Sequence, residues 1–322
     1  MPFDILVEGC TFERADGERD FVVSIAGHSG NDPDRTHHWR LIGNRFGGAM
    51  NVTWAHDIVF SANEWVIADE TYPHPYLFVN HTTEQVVIMG NTFESTVDCI
   101  DLRATTTPGQ QPRHVTIDGN TFVLQQRTGP PVVRLAVDAS AGPGEYIFSN
   151  NTVLGPADRT GVVLFHRSTN RNRSVIIRGN IVRQCSMGFR LVSAGMERFE
   201  RVVLEGNTFD PELLPATAAV SLEKDVNVLD DFVMANNIWT GTGVVPVRED
   251  HGFQMDNIEP YAGSQVWRTD GSAGAQATYS CKGSPLDQFD APVGSLAVRR
   301  DGGVATTLYV KEASTAAGWV AK

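Results

Sequence analysis

Five side chains in this sequence are of types that act on a charged polymer: Asp101, Arg103, Arg134, His166 and Arg190. Each stands in a short apolar run ("CIDLRAT", "VVRLAVD", "VVLFHRS", "GFRLVSA"), and aligning the runs gathers all five on one surface. Guanidinium forks match carboxylate or sulfate groups in a bidentate way. For β-elimination on a uronic acid, an arginine would neutralise the substrate carboxylate while His166 or an arginine removes the C5 proton. Asp101 would orient that base or hold a sugar hydroxyl. The plainer alternative is a solvated face with incidental Arg–Asp pairs. Lysine is absent from this surface apart from Lys224.

What must position these residues is a repeat. "VIMGNTF", "TIDGNTF" and "VLEGNTF" are near copies, and weaker ones surround Asn44, Asn63, Asn151, Asn180 and Asn237. "LVEGCTF" is a ninth copy, with Cys10 in the asparagine slot. Successive intervals are 34, 19, 28, 29, 31, 29, 27 and 30 residues. A repeat of that length with drift in the loops describes a solenoid. Three residues before each asparagine the position is apolar, and two after it stand Phe46, Trp65, Phe93, Phe122, Val153, Val182, Phe209 and Trp239. Short β-branched runs alternating with period two are strands, which here stack in register about 4.8 Å apart. The aromatic positions then form an internal stack and the asparagines a hydrogen-bonded ladder. Gly, Ala or Asn precedes each asparagine, as a left-handed turn requires. The fold class expected is all-β: a right-handed parallel β-helix of about nine coils, then a small β-stranded C-terminal module. The boundaries expected are 1–252 for the helix, 253–290 for a linker with irregular or short strand structure, and 291–322 for the module.

The aligned runs place Ile25, Val79, Leu102, Leu135, Phe165, Leu191, Leu222 and Val247 inside. One outward column is then Ser24, Phe78, Asp101, Arg134, Leu164, Arg190, Ser221 and Pro246. Its neighbour reads Ala26, Asn80, Arg103, Ala136, His166, Val192, Glu223 and Arg248. The five chemical residues thereby span four coils, about 14 Å at the strand spacing. An elongated groove of this kind suits a polymer. A second outward column, four residues before each asparagine, reads Arg40, Val59, Val87, Thr116, Ile147, Ile176, Val203 and Val233. Such an apolar stripe is covered either by the chain's own loops or by identical neighbours around a three-fold axis.

These coils resemble the right-handed parallel β-helix, pectate-lyase-like superfamily, over roughly residues 5 to 250. That superfamily includes polysaccharide lyases, hydrolases, epimerases and phage tailspikes, so the resemblance implies the fold and leaves the activity open. The last residues, "APVGSLAVRRDGGVATTLYVKEASTAAGWVAK", are similar to a C-terminal module of phage tail fibres and tailspikes. "SLAVRR", "TTLYVKEA" and "GWVAK" read as strands, with "DGG" a hairpin turn.

Bulk properties narrow the partners. A formal net charge of −12 argues against nucleic acid, whose phosphates need clustered Lys and Arg. No signal-peptide pattern and no apolar run long enough to span a bilayer is read from the sequence. Cys10, Cys99, Cys185 and Cys281 lie far apart, as buried free thiols would. No lyase-like calcium site stands on adjacent coils, and no cofactor or metal is called for. A glycosidase needs two carboxyls about 5 to 9.5 Å apart. Asp101 with Asp138, or the group Glu223, Asp225, Glu249 and Asp250, does not make a convincing pair. "GHSGNDPDRTHHW", with His28, Asp32, Asp34, His37 and His38, reads as a polar loop over the first coils. "ADETYPHPY" offers Tyr72, His74 and Tyr76 beside Asp69 and Glu70, aromatics that would stack on sugar rings or simply stiffen a loop.

The expectation is a trimeric phage-type tailspike or tail-fibre protein, extracellular or on the virion, that binds a bacterial surface polysaccharide and either cleaves it or does not. The alternatives are a stand-alone β-helical polysaccharide lyase or glycoside hydrolase, and a structural virion or surface protein without ligand. The first coil starts by residue 5 with no room for a capping helix. Another subunit, or more of a longer chain, is expected to cover it.

Overall fold

The computed structural model describes residues 4–14, 21–27, 36–67, 76–80, 83–95, 99–103, 112–124, 133–137, 144–155, 160–166, 173–193, 201–211, 218–223, 231–239, 245–249, 267–269, 278–281, 284–286, 293–299, 303, 307–313 and 318–322. Every regular element in them is a strand. Each coil contributes one strand to each of three sheets, of ten, nine and nine strands, all parallel except the last strand of the first sheet. The coil around Asn91 shows the unit: Glu84–Met89 in the first sheet, Thr92–Ser95 in the second and Ile100–Arg103 in the third. The chain is therefore a parallel β-solenoid.

Local chemistry explains the corner between the first two strands. Gly9, Gly43, Gly90, Gly119, Gly179 and Gly206 have φ between 61° and 64°, and Ala62, Asn150 and Asn236 fill the same slot at 53° to 54°. The asparagine that follows is buried in all eight coils. Its side chain works in two directions. Asn91 donates from Nδ2 to the Phe60 carbonyl at 3.1 Å and to Asn120 Oδ1 at 2.9 Å, while its own Oδ1 accepts from Asn63 N–H at 2.8 Å. The pattern runs unbroken from Cys10, whose N–H donates to Asn44 Oδ1, to Asn237. Corner backbone that burial would otherwise leave unpaired is satisfied from the next coil.

Two residues on, the aromatic column stacks inside. Ring centroids are 5.2 Å apart for Phe12–Phe46, 4.7 Å for Phe46–Trp65, 4.6 Å for Trp65–Phe93 and 4.9 Å for Phe93–Phe122. Each buried ring contributes about 1.5–3 kcal/mol by area, and each stacked pair about 0.5–1.5 kcal/mol more. Val153, Val182 and Phe209 continue the column, all fully buried.

The first sheet holds the expected outward stripe in register: Leu6, Arg40, Val59, Val87, Thr116, Ile147, Ile176, Val203 and Val233. Val59, Val87, Ile147 and Ile176 are half-buried, and Leu6 is 59% exposed. Sequence reading missed a second regularity in this sheet. Asp4, His38, Asp57, Gln85 and His114 all have positive φ at the same place in five successive coils. Aspartate and histidine tolerate this region better than most residues.

His37 and His38 are not in a loop: they open the strand Thr36–Ile42, and His38 lies 3.0 Å from Asp4 and 3.3 Å from Asp57. His28, Asp32, Asp34, Asp69, Glu70, Tyr72 and His74 fall outside the described residues.

A short antiparallel strand, Trp267–Thr269, pairs with Asp231–Ala235 at the far edge of the first sheet. A further four-stranded sheet is built from Thr278–Cys281, Leu296–Arg299, Leu308–Lys311 and Trp319–Ala321. The last three are the strands expected near the C-terminus. The first comes from the stretch read as linker and pairs in parallel. One face of this sheet buries Ala297, Tyr309 and Trp319; the other leaves Leu296, Val298, Leu308 and Val320 between 37% and 39% exposed. Cys10, Cys99 and Cys185 are free thiols. Cys99 and Cys185 are buried as expected, whereas Cys10 is exposed.

Candidate functional site

The outward face of the third sheet is set by register, and register corrects the sequence alignment in three places. The first is a strand the alignment lacked. Met50–Thr53 lies between Val23–Ala26 and Leu77–Asn80, in the shortest coil. It leaves the third sheet through one residue, Trp54 at φ 47°, before the strand Ala55–Ser61 begins. With no loop to mark it, the strand was invisible to a search for turn signals.

The second is a one-residue slip at Thr160–His166. Val162 pairs with Val133, and Leu164 pairs with Leu135. Val162 is buried at 1% exposure. Leu164, not Phe165, therefore holds the register position of Leu102 and Leu135. "VVLF" is apolar at both parities, so alternation could not decide it, and a slip of one residue exchanges the faces. His166 pairs with Val137 and Ser193, in the parity of Leu164. It does not stand in either outward column. At the far end, Ser221 pairs with Arg248, which replaces Pro246 in the first column.

The observed first column reads Ser24, Asn51, Phe78, Asp101, Arg134, Val163, Arg190, Ser221 and Arg248. Asp101 and Arg134 are direct register partners. Arg190 follows two coils beyond Arg134, with Val163 between them. Arg103 pairs with Asn80 and belongs to the second column with Ala26 and Thr53. Four of the five chemical residues thus share the face, and His166 is separated from them.

Burial adds what sequence could not supply. Asp101 is completely buried, and Arg190 is half-buried. Asn80 Nδ2 donates to Asn51 Oδ1 at 3.3 Å, and Asn51 Nδ2 donates to Ser24 Oγ at 3.3 Å. Thr83 Oγ1 donates to the Asn80 carbonyl at 2.7 Å. Phe78 is half-buried, with its ring stacked on Phe21 at 6.2 Å and 9°. Asn51 and Thr53 went unnoticed because their strand did. Their signal was the alternation in "MNVT" alone.

The face offers hydrogen-bonding amides, the ring of Phe78, the buried carboxylate of Asp101 and guanidinium positions further along. Among the described residues no group of three or more His, Cys, Asp or Glu is placed to hold a metal ion. Asp138, the carboxylate weighed with Asp101, falls outside them, as do Asp225 and Asp250.

No family model matches the chain, and no curated protein matches it. Two solved structures of PfbA, a surface adhesin of Streptococcus pneumoniae, are similar to it. One shares 9% identity at a TM-score of 0.41, covering 72% of this chain and 82% of that one. The other shares 9% identity at 0.39, covering 77% and 83%.

Proposed function

We propose that this chain is a tailspike-like or fibre-like β-solenoid, displayed outside a cell or on a virion, that binds a bacterial surface polysaccharide along the outward face of its third sheet. The observation that carries this reading is the single column holding Asn51, Phe78, Asp101, Arg134 and Arg190. It joins an aromatic surface and amides, which suit sugar rings and hydroxyls, to guanidinium positions that suit carboxylate or sulfate. The positions recur at the strand spacing, about 4.8 Å, so an extended polymer meets one after another.

Binding is favoured over cleavage. A general acid or base must reach its proton on the substrate. Asp101 is buried, and His166 lies outside both outward columns. The test is binding of purified bacterial capsular and lipopolysaccharide O-chains to immobilised protein, with product analysis for cleavage. Retention of at least one acidic polysaccharide, weakened tenfold or more in Arg134→Gln/Arg190→Gln, supports the reading. Failure of every polysaccharide to bind would remove it.

Self-association is the second part of the proposal. Half-buried Val59, Val87, Ile147 and Ile176 make an apolar line on the first sheet, interrupted by Thr116, and the C-terminal sheet adds Leu296, Val298, Leu308 and Val320. Burial against identical copies, most simply around a three-fold axis, would cover both. Light scattering decides it, since a trimer has three times the 35.2 kDa of the chain.

A further inference from the structure

Two buried oxygens on this face are left over by the fold and by the arginine column alike. Thr53 Oγ1 and Asn80 Oδ1 have no hydrogen-bond partner, although their residues are only 5% and 8% exposed. They stand side by side, because Thr53 and Asn80 are register partners on adjacent coils. Buried polar atoms in native folds are nearly always satisfied, so a pair left open on one spot points to something that fills it.

The orientation of Asn80 is fixed by its neighbours. Its Nδ2 donates to Asn51 Oδ1 at 3.3 Å, so its Oδ1 is turned away from Asn51, and Thr83 holds its carbonyl at 2.7 Å. Asn80 is thereby presented as an acceptor, and Thr53 as a hydroxyl that both donates and accepts. Phe78, half-exposed two residues before Asn80 on the same strand, supplies a flat apolar wall. Ser24 and Ala26, one coil away, are exposed and leave the patch open on that side. Trp65 Nε1 is likewise unpartnered, but it lies inside the aromatic stack, where no ligand reaches.

We propose that Thr53 and Asn80 form the floor of a subsite for a neutral sugar unit. One sugar hydroxyl donates to Asn80 Oδ1, another exchanges a hydrogen bond with Thr53 Oγ1, and the apolar face of the ring lies against Phe78. The inference rests on the polysaccharide-binding reading and sharpens it. Asn80 Oδ1 only accepts, so it calls for a donating hydroxyl and not an anion's oxygen, and acidic groups go to the arginine positions. Asn80 and Arg134 are two coils apart, roughly 10 Å at the strand spacing. The ligand is then a heteropolysaccharide whose neutral and acidic units alternate over a short distance, laid in one direction along the sheet.

The test uses the full chain and four probes, the methyl glycosides of glucose, galactose, N-acetylglucosamine and glucuronic acid, followed by ligand-observed NMR at millimolar concentration. Wild type is compared with Thr53→Val, Thr53→Ser and Arg134→Gln/Arg190→Gln, each checked for an unchanged melting curve. At least one neutral glycoside should bind wild type, with Thr53→Val weakening it roughly five- to tenfold for the lost hydrogen bond. Thr53→Ser should restore it, and the arginine double variant should leave it unchanged while losing the glucuronide. Glucuronide binding without any neutral glycoside overturns the subsite, assigns the two oxygens to ordered water and leaves the polysaccharide reading intact. Equal neutral binding by Thr53→Val and wild type also overturns it. Absence of binding by all four probes, and by the polysaccharides, removes both.

Discussion

Asn180 gives both its backbone N–H and its side-chain amide to one oxygen, Oδ1 of Asn207, at 3.0 and 2.9 Å. Asn180 Oδ1 receives the same pair from Asn151. Truncating one rung therefore strands groups on both neighbours. Asn180→Ala should cost about 3 kcal/mol or more, since each buried group left unpaired costs about 1–3 kcal/mol. Chemical denaturation measures it. Cys10→Asn adds a rung at the exposed end of the ladder, where the same technique should find a change of less than about 1 kcal/mol.

The corner glycines should rank among themselves. Gly206 and Gly179 have φ of 62° and 63°, so alanine costs about 1–2 kcal/mol at either for the left-handed conformation. A Cβ at Gly179 would also stand 2.7 Å from Asn150 Oδ1, whereas at Gly206 the nearest atom is 3.9 Å away. Gly179→Ala should therefore melt below Gly206→Ala. The reverse order would mean that the Asn150 side chain moves aside at no cost.

Trp65 is fully buried with its indole N–H unsatisfied, stacked between Phe46 and Phe93. Trp65→Phe removes the unpaired donor and leaves a smaller ring in the stack. It should change stability by less than about 1.5 kcal/mol, as well-matched apolar exchanges do. Phe93→Ala, which opens a cavity in the same stack, should cost about 3–5 kcal/mol. Thermal unfolding of the two variants side by side separates these effects.

Burial pushes the Cys185 thiol from 9.0 up to about 12, against a smaller opposing effect from the Gly155 backbone. The folded state then holds its proton where the unfolded chain releases it. The thiol's contribution is fully present below pH 9 and is lost as pH rises from about 9 towards 12, at up to about 1.4 kcal/mol per pH unit. Cys185→Ala should flatten the alkaline fall in stability measured by urea unfolding. In native protein at pH 8 a thiol reagent should modify exposed Cys10 and spare Cys185.

The backbone plan was legible in the sequence because its determinants are local and repeated. The asparagine, the small residue before it and the apolar residues on either side are needed in every coil, so they recur as letters. The columns of the first and second sheets followed at once. The third sheet was legible only where its strands alternate. Met50–Thr53 hid because a single tryptophan, not a glycine or a loop, turns the chain after it. Thr160–His166 slipped because "VVLF" is apolar on both faces. The consequences fell on the candidate site, whose residues differ from coil to coil and so leave no repeated letters. Asn51 and Thr53 were missed, His166 was placed on the wrong parity, and the burial of Asp101 had no sequence signal at all.

The ladder has a consequence for how such a chain can vary. Every rung makes the same bonds to the next, from Asn44 to Asn237, and no rung depends on the identity of a particular coil. A coil is then a unit of length, inserted or removed as one block of about 29 residues with its bonding intact. The distance between any two positions on the third sheet changes in steps of about 4.8 Å. The solenoid is a ruler, and the spacing between Asn80 and Arg134 is one reading on it, open to adjustment by whole divisions without redesigning either mark.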